Sequence, residues 1–165
     1  MKQQKNVNVH FSEQNQNISL ASNNALELAS GEYVALMDND DELTKDAFYE
    51  VVKALQPQDV GFIYSDEDKL ELSGEYTDVH FKPDYSPDMF MCHNYMSHLV
   101  VIRRDLIQKV GAWRAGYEGA QDYDLYLRVI EQTAKIVHIP KVLYHWRKIP
   151  GSTAAEFSDK GYAQE

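Results

Sequence analysis

Tyr33-Val34-Ala35-Leu36-Met37-Asp38-Asn39-Asp40-Asp41-Glu42 sets a short apolar run directly against a cluster of carboxylates. The run Tyr33–Met37 reads as a buried strand, and in open α/β sheets ligands lie beyond the carboxyl ends of strands. Two carboxylates one residue apart at such an end can hold a hard divalent cation through oxygen and leave positions open for a diphosphate. Taken alone, the same acids have a plainer role as a solvated turn whose charge favours the start of the next helix. A calcium loop fits poorly. With Asp38 at its first position, Leu43 stands where that loop needs Gly and Tyr49 where it needs Glu.

Working outward, Ala21, Ala25, Leu28 and Ala29 predict a helix from Ser19 that ends before Gly31, a residue type common just past helix ends. Val7 to Phe11 alternates and predicts a short strand, followed by a polar loop in which Asn17 suits a left-handed conformation. Downstream, Thr44 is placed to cap a helix carrying Phe48, Val51, Val52 and Leu55, with Pro57 beyond its end. Val60 to Tyr64 predicts another buried strand, again ending in acid at Ser65-Asp66-Glu67-Asp68.

Repeated strand–helix alternation predicts an α/β fold, a mixed but mainly parallel sheet flanked by helices. The segment Leu70 to His93 holds Gly74, Pro83 and Pro87 and reads as loop or irregular hairpin. Then come a strand over Met96–Ile102, a short helix over Arg104–Val110, a turn at Gly111-Ala112-Trp113 and an amphipathic helix over Asp122–Glu131. Two short strands, Ala134–Ile139 and Val142–Tyr144, flank Pro140. Residues 1–150 form the expected domain and 151–165 a polar, mobile tail.

The chain has 165 residues, enough for one domain with a real core at 44% hydrophobic content. Its 26 acidic against 16 basic residues give a net charge of -10, which argues against nucleic acid or an anionic membrane surface as main partner. An anionic substrate would need a bound cation to invert the field of an acidic pocket. The single Cys92 excludes an internal disulfide and reads as a small buried or half-buried apolar residue. No window reaches a membrane span and the polar start lacks a signal peptide's apolar region, so a cytoplasmic location is expected, with membrane attachment of a larger parent left open.

Three segments combine: Leu36-Met37-Asp38-Asn39-Asp40-Asp41, Glu118-Gly119-Ala120-Gln121-Asp122-Tyr123-Asp124-Leu125 and Pro140-Lys141-Val142-Leu143-Tyr144-His145-Trp146-Arg147. Together they resemble family 2 glycosyltransferases, in particular bacterial enzymes of O-antigen and other surface-polysaccharide synthesis, which also carry runs similar to Tyr64–Lys69 and Phe81-Lys82-Pro83-Asp84. The resemblance covers nearly all of residues 7–155. It implies a GT-A type fold, an inverting transfer from a nucleotide-diphospho-sugar donor to a saccharide acceptor, and a Mn²⁺ or Mg²⁺ ion on the donor phosphates.

On that resemblance Asp38 and Asp40 match the family's Asp-x-Asp element, Asp40 as the more direct metal ligand and Asp38 toward the ribose or a metal-bound water. Asp41 is open between this cluster and a helix cap. Asp122 matches the catalytic base, although Gln121 stands where many members carry Glu; a helix-start carboxylate is the competing role. His145 completes a metal shell or is a structural histidine. Arg147 contacts the diphosphate or forms a surface ion pair. Asp66 and Asp68 orient sugar hydroxyls or are loop acids, and Trp113 and Trp146 offer faces to a sugar ring or are packed. The family's usual opening strand and nucleotide-binding loop do not precede Val7. The expectation is therefore an N-terminally incomplete domain with an exposed sheet edge, self-associating or covered by another segment. The alternative function is a non-catalytic remnant or assembly module that keeps the fold without full donor binding.

Overall fold

The computed structural model describes residues 7–149, so the expected tail at 151–165 lies outside the described residues. The elements run α1 (Asn17–Leu28), β1 (Tyr33–Leu36), β2 (Glu42–Leu43), α2 (Ala47–Ala54), β3 (Phe62–Leu70), β4 (Tyr76–His80), α3 (Pro87–Cys92), β5 (Val100–Arg103), α4 (Arg104–Lys109), α5 (Gln121–Ile130) and β6 (Ile136–Arg147). Asn17 is left-handed, with φ 57°, as its side-chain type allows. None of the described helices is long and apolar enough to cross a membrane.

The strands form one mixed sheet in the order β1-β5-β3-β6-β2, with β4 added to the far half of β3. Alternation of strands and helices correctly indicates an α/β fold, but the parallel core is narrower than expected. Among the described residues only β3 and β6 pair in parallel, because β5 returns antiparallel between β1 and β3, and β2 and β4 also pair antiparallel.

The pleat of β3 divides the core. Phe62 and Tyr64 point into a cluster with Leu106 and Ile107 of α4 and Leu125, Tyr126 and Val129 of α5. Ile63 points to the opposite face, where Val101, Ile139 and Leu143 meet Ala47 and Val51 of α2. Phe62 packs edge-on to Tyr126 at 5.3 Å between ring centres, a favoured aromatic geometry. Helix α5 is thus clamped to the centre of the sheet. Just before β3, a Cβ on Gly61 would lie 2.3 Å from Thr133 Oγ1 and 2.8 Å from Leu106 Cδ1. Gly61→Ala is expected to destabilise the fold by about 1–3 kcal/mol, read from the midpoint of urea unfolding.

Several local expectations change. Val7 to Phe11 is exposed coil, since no described strand pairs with it and an isolated strand leaves its backbone groups unmade. Helix α2 begins at Ala47 after Asp46, with Thr44 contributing its carbonyl to the Ala47 N–H rather than serving as the cap. In that helix Phe48 and Val52 remain 61% and 57% exposed, so only part of the apolar stripe is buried. Of the segment Leu70–His93, expected as loop or irregular hairpin, Tyr76–His80 is strand β4, paired with β3, and Pro87–Cys92 is the helix α3. The two strands around Pro140 are one strand, β6; its register against β3 jumps from Ile139 to Val142, bulging out the proline that cannot donate to the ladder. Cys92 is exposed, not buried.

Candidate active site

The acidic run 37–42 leaves the end of β1 and folds back against β6. Its backbone is pinned there: the Asp38 N–H donates to Tyr144 Oη at 3.1 Å, and the Asp41 N–H to the Asp38 carbonyl at 3.4 Å. Asp41 is buried, its Oδ1 accepting the Arg147 N–H at 2.8 Å and its Oδ2 the Tyr144 hydroxyl. Burial and the neighbouring Asp41 push the Tyr144 hydroxyl far up, so it serves as a donor. The Arg147 guanidinium donates to the Asp40 carbonyl at 2.6 Å and pairs with Glu42. Asp41 and Arg147 therefore lock the run to β6, and Asp41 does not cap α2.

Asp38 faces a cleft of about 690 Å³ whose walls also include His98, Asp122, Tyr123 and Trp146. An adjoining recess of about 220 Å³ reaches between α1 and β1 and shares Asp38, His98 and Asp122. Asp38 is exposed to the cleft, yet partial desolvation by the cleft walls, chiefly, with Asp41, Asp122 and Asp40 nearby, raises its carboxyl above the usual range against the pull of His98. Donor atoms of Asp38, Asp41 and His98 lie within 4.8 Å of one another. Two carboxylates and one imidazole suit a divalent ion such as Mn²⁺ or Mg²⁺, the former especially. The Asp40 side chain stands outside that trio.

Asp122 occupies the first turn of α5, delivered to the cleft after Gly119, whose φ of 90° suits a residue without a side chain. Its Oδ1 accepts the Trp113 indole N–H at 3.2 Å and its Oδ2 the Gln121 amide at 3.3 Å. Trp113 is buried, and its backbone exchanges two hydrogen bonds with the side chain of Asn23 on α1, at 2.8 and 3.0 Å. A chain from α1 through Trp113 thus orients Asp122 without using up its carboxylate.

The other acids of the sequence reading have different surroundings. Asp66, Glu67 and Asp68 lie inside β3 and are buried, where charge must be paired. Asp66 Oδ1 accepts the Lys82 N–H at 2.9 Å and faces His138 Nε2 at 2.8 Å. Asp68 Oδ1 lies 2.6 Å from His145 Nδ1, and Tyr76 packs on that imidazole at 4.2 Å. Neither Asp66, Asp68 nor His145 lines the cleft; the imidazole beside Asp38 is His98. His98 was missed because nothing in Asn94–Leu99 has a metal-ligand spacing. Trp146 does line the cleft, while Trp113 lines the adjoining recess.

The described architecture is the GT-A glycosyltransferase fold. It superposes on Staphylococcus aureus TarS 1–349 in complex with UDP-GlcNAc with a TM-score of 0.65 at 16% identity, covering 85% of this chain and 42% of that one. The chain belongs to glycosyl transferase family 2, which matches residues 1–111. It is similar to the protein y4gI of Sinorhizobium fredii, 50% identical over 162 residues, 96% of this chain. It is also 38% identical over 136 residues, 82% of this chain, to the O-antigen biosynthesis protein RfbC of Myxococcus xanthus. The chain spans 18% and 10% of the lengths of these relatives.

Proposed function

We propose that this chain carries the metal and acceptor side of an inverting glycosyltransferase acting in surface-polysaccharide synthesis. The observation that carries the reading is the convergence of Asp38, His98 and Asp122, from three distant segments, on one cleft. The family and the similarity to RfbC support the reaction class. Asp122 is the proposed base: its carboxylate accepts the proton of an acceptor hydroxyl as that oxygen attacks the anomeric carbon and the nucleoside diphosphate departs from the opposite face. Trp113 and Gln121 hold the carboxylate in place, and the Trp146 ring gives the cleft an apolar wall suited to a sugar face. Asp38 with Asp41 and His98 would hold a Mn²⁺ or Mg²⁺ ion, with Asp40 next to them. When bound, that ion supplies charge neutralisation to the departing diphosphate. Asp66, Asp68, His145 and Arg147 are assigned to supporting the cleft from β3 and β6, in preference to direct contact with donor, acceptor or metal.

A nucleotide-diphospho-sugar panel with Mn²⁺ tests the reading. Mn²⁺-dependent binding is expected, abolished by EDTA and weakened at least tenfold by Asp38→Ala. Absence of binding for every donor, with or without metal, would leave the non-catalytic assembly module as the better account. β1 forms one edge of the sheet, which supports self-association or a covering segment; sedimentation as a monodisperse monomer would argue against the former.

A further inference from the structure

We propose that Lys82 and Glu67 are positioning residues that hold the imidazole of His98 at the cleft, an inference that rests on the cleft being the active site. The Lys82 side chain is 0% exposed, a costly place for an ammonium unless it is fully bonded. Its Nζ donates to Glu67 Oε2 at 3.0 Å, to the Met96 carbonyl at 2.7 Å and to the His98 carbonyl. The same Glu67 Oε2 accepts the His98 N–H at 3.0 Å. One buried ion pair therefore grips both backbone polar groups of His98.

The ring of His98 is then set by what it meets. It stacks on Tyr144 at 4.7 Å with an interplanar angle of 13° and stands edge-on to Trp146 at 5.5 Å. Tyr144 is itself bonded to Asp41 and to the Asp38 N–H, so the surface beneath the imidazole belongs to the acidic run. Glu67 comes from the middle of β3, and Lys82 from the loop after β4, where its own N–H is fixed by Asp66. The pair thus ties two segments to one histidine.

An apolar pair of similar volume could fill this space at no loss of stability. What it could not do is donate to the His98 carbonyl and accept from its N–H. Burial pulls the Lys82 ammonium down while Glu67 opposes that pull, and Glu67 lies below its usual range because His80 and Lys82 outweigh its burial.

The test compares wild type with Lys82→Met, with Lys82→Arg, and with the double variant Glu67→Gln/Lys82→Met, which removes both charges together. Two readouts are taken on folded protein: the NMR shifts of the His98 ring protons, which the Tyr144 ring displaces upfield, and Mn²⁺ affinity from water-proton relaxation. The expected result is loss of the upfield displacement in the two Met variants and Mn²⁺ binding weakened about 10–100-fold, the usual effect of removing a support for a metal ligand. Partial recovery of both is expected in Lys82→Arg. Unchanged His98 shifts in folded Met variants would overturn the inference, as would unfolding of all three variants, which would place the pair in the fold alone. If wild type binds no Mn²⁺, the metal reading fails while the ring shifts still decide the positioning of His98.

Discussion

Asp122→Asn is expected to lower sugar transfer by roughly 10²–10⁴-fold, the range for loss of a general base, the role proposed for Asp122, with the unfolding midpoint nearly unchanged. The amide keeps the shape of the carboxylate and can still accept from the Trp113 indole, so the first turn of α5 retains its place. It cannot take a proton from an attacking hydroxyl. The loss should fall on kcat and kcat/KM alike, since the missing interaction is made in the transition state. Binding of donor and Mn²⁺ should persist, because Asp122 is outside the Asp38, Asp41 and His98 trio. Steady-state kinetics with a matched donor and acceptor check this, and undiminished transfer would remove Asp122 from the base role.

Asp124→Ala has the largest expected effect on stability. Two residues beyond the proposed base, the Asp124 side chain is only 8% exposed and accepts hydrogen bonds from Arg114 and Arg128. Arg128 is mostly buried and also donates to the carbonyls of Val110 and Ala112, at 2.7 and 2.8 Å, which shapes the turn leading to Trp113. Truncation leaves that guanidinium without its counter-ion, at a cost of about 3 kcal/mol. The figure is taken at the low end because Arg114 is nearly half exposed and contributes less. Within a total of roughly 5–15 kcal/mol this is a large loss.

The same carboxylate carries a pH signature. Burial pushes the Asp124 carboxyl up, but the two guanidinium groups outweigh it and hold the pKa below its ordinary value. A depressed folded-state pKa contributes stability that is fully present above the unfolded value, about pH 4, and is lost as pH falls through the folded value. Urea unfolding from pH 7 to pH 2 should therefore show a shallower acid loss in Asp124→Ala than in wild type. Equal slopes would show that other carboxylates dominate the acid limb.

Much of this was legible in the residues. The 3.6-residue pattern in 121–131 and the apolar run 33–37 needed no partners to be recognised, because helix and strand periodicity are local properties. Position of Asp38 at a strand end and of Asp122 at a helix start followed from those elements, and both face the cleft. Asp66 and Asp68 could not be placed. A run of acids after an apolar strand has the composition of a loop, and only the pairing of β3 with β4 and β6 brings the counter-groups that let it continue buried.

By itself, then, the sequence determined an α/β chain with an acidic strand end and a second carboxylate segment, since each is written in neighbouring residues. The tertiary structure decided which groups meet at the cleft. Insertion of β5 antiparallel between β1 and β3 carries the preceding turn, with His98, toward the acidic run. The parallel β3–β6 pair brings His145 opposite Asp68, where its imidazole is engaged. Such choices are made by strand order and by the need to pair every buried charge, neither of which has a local signature.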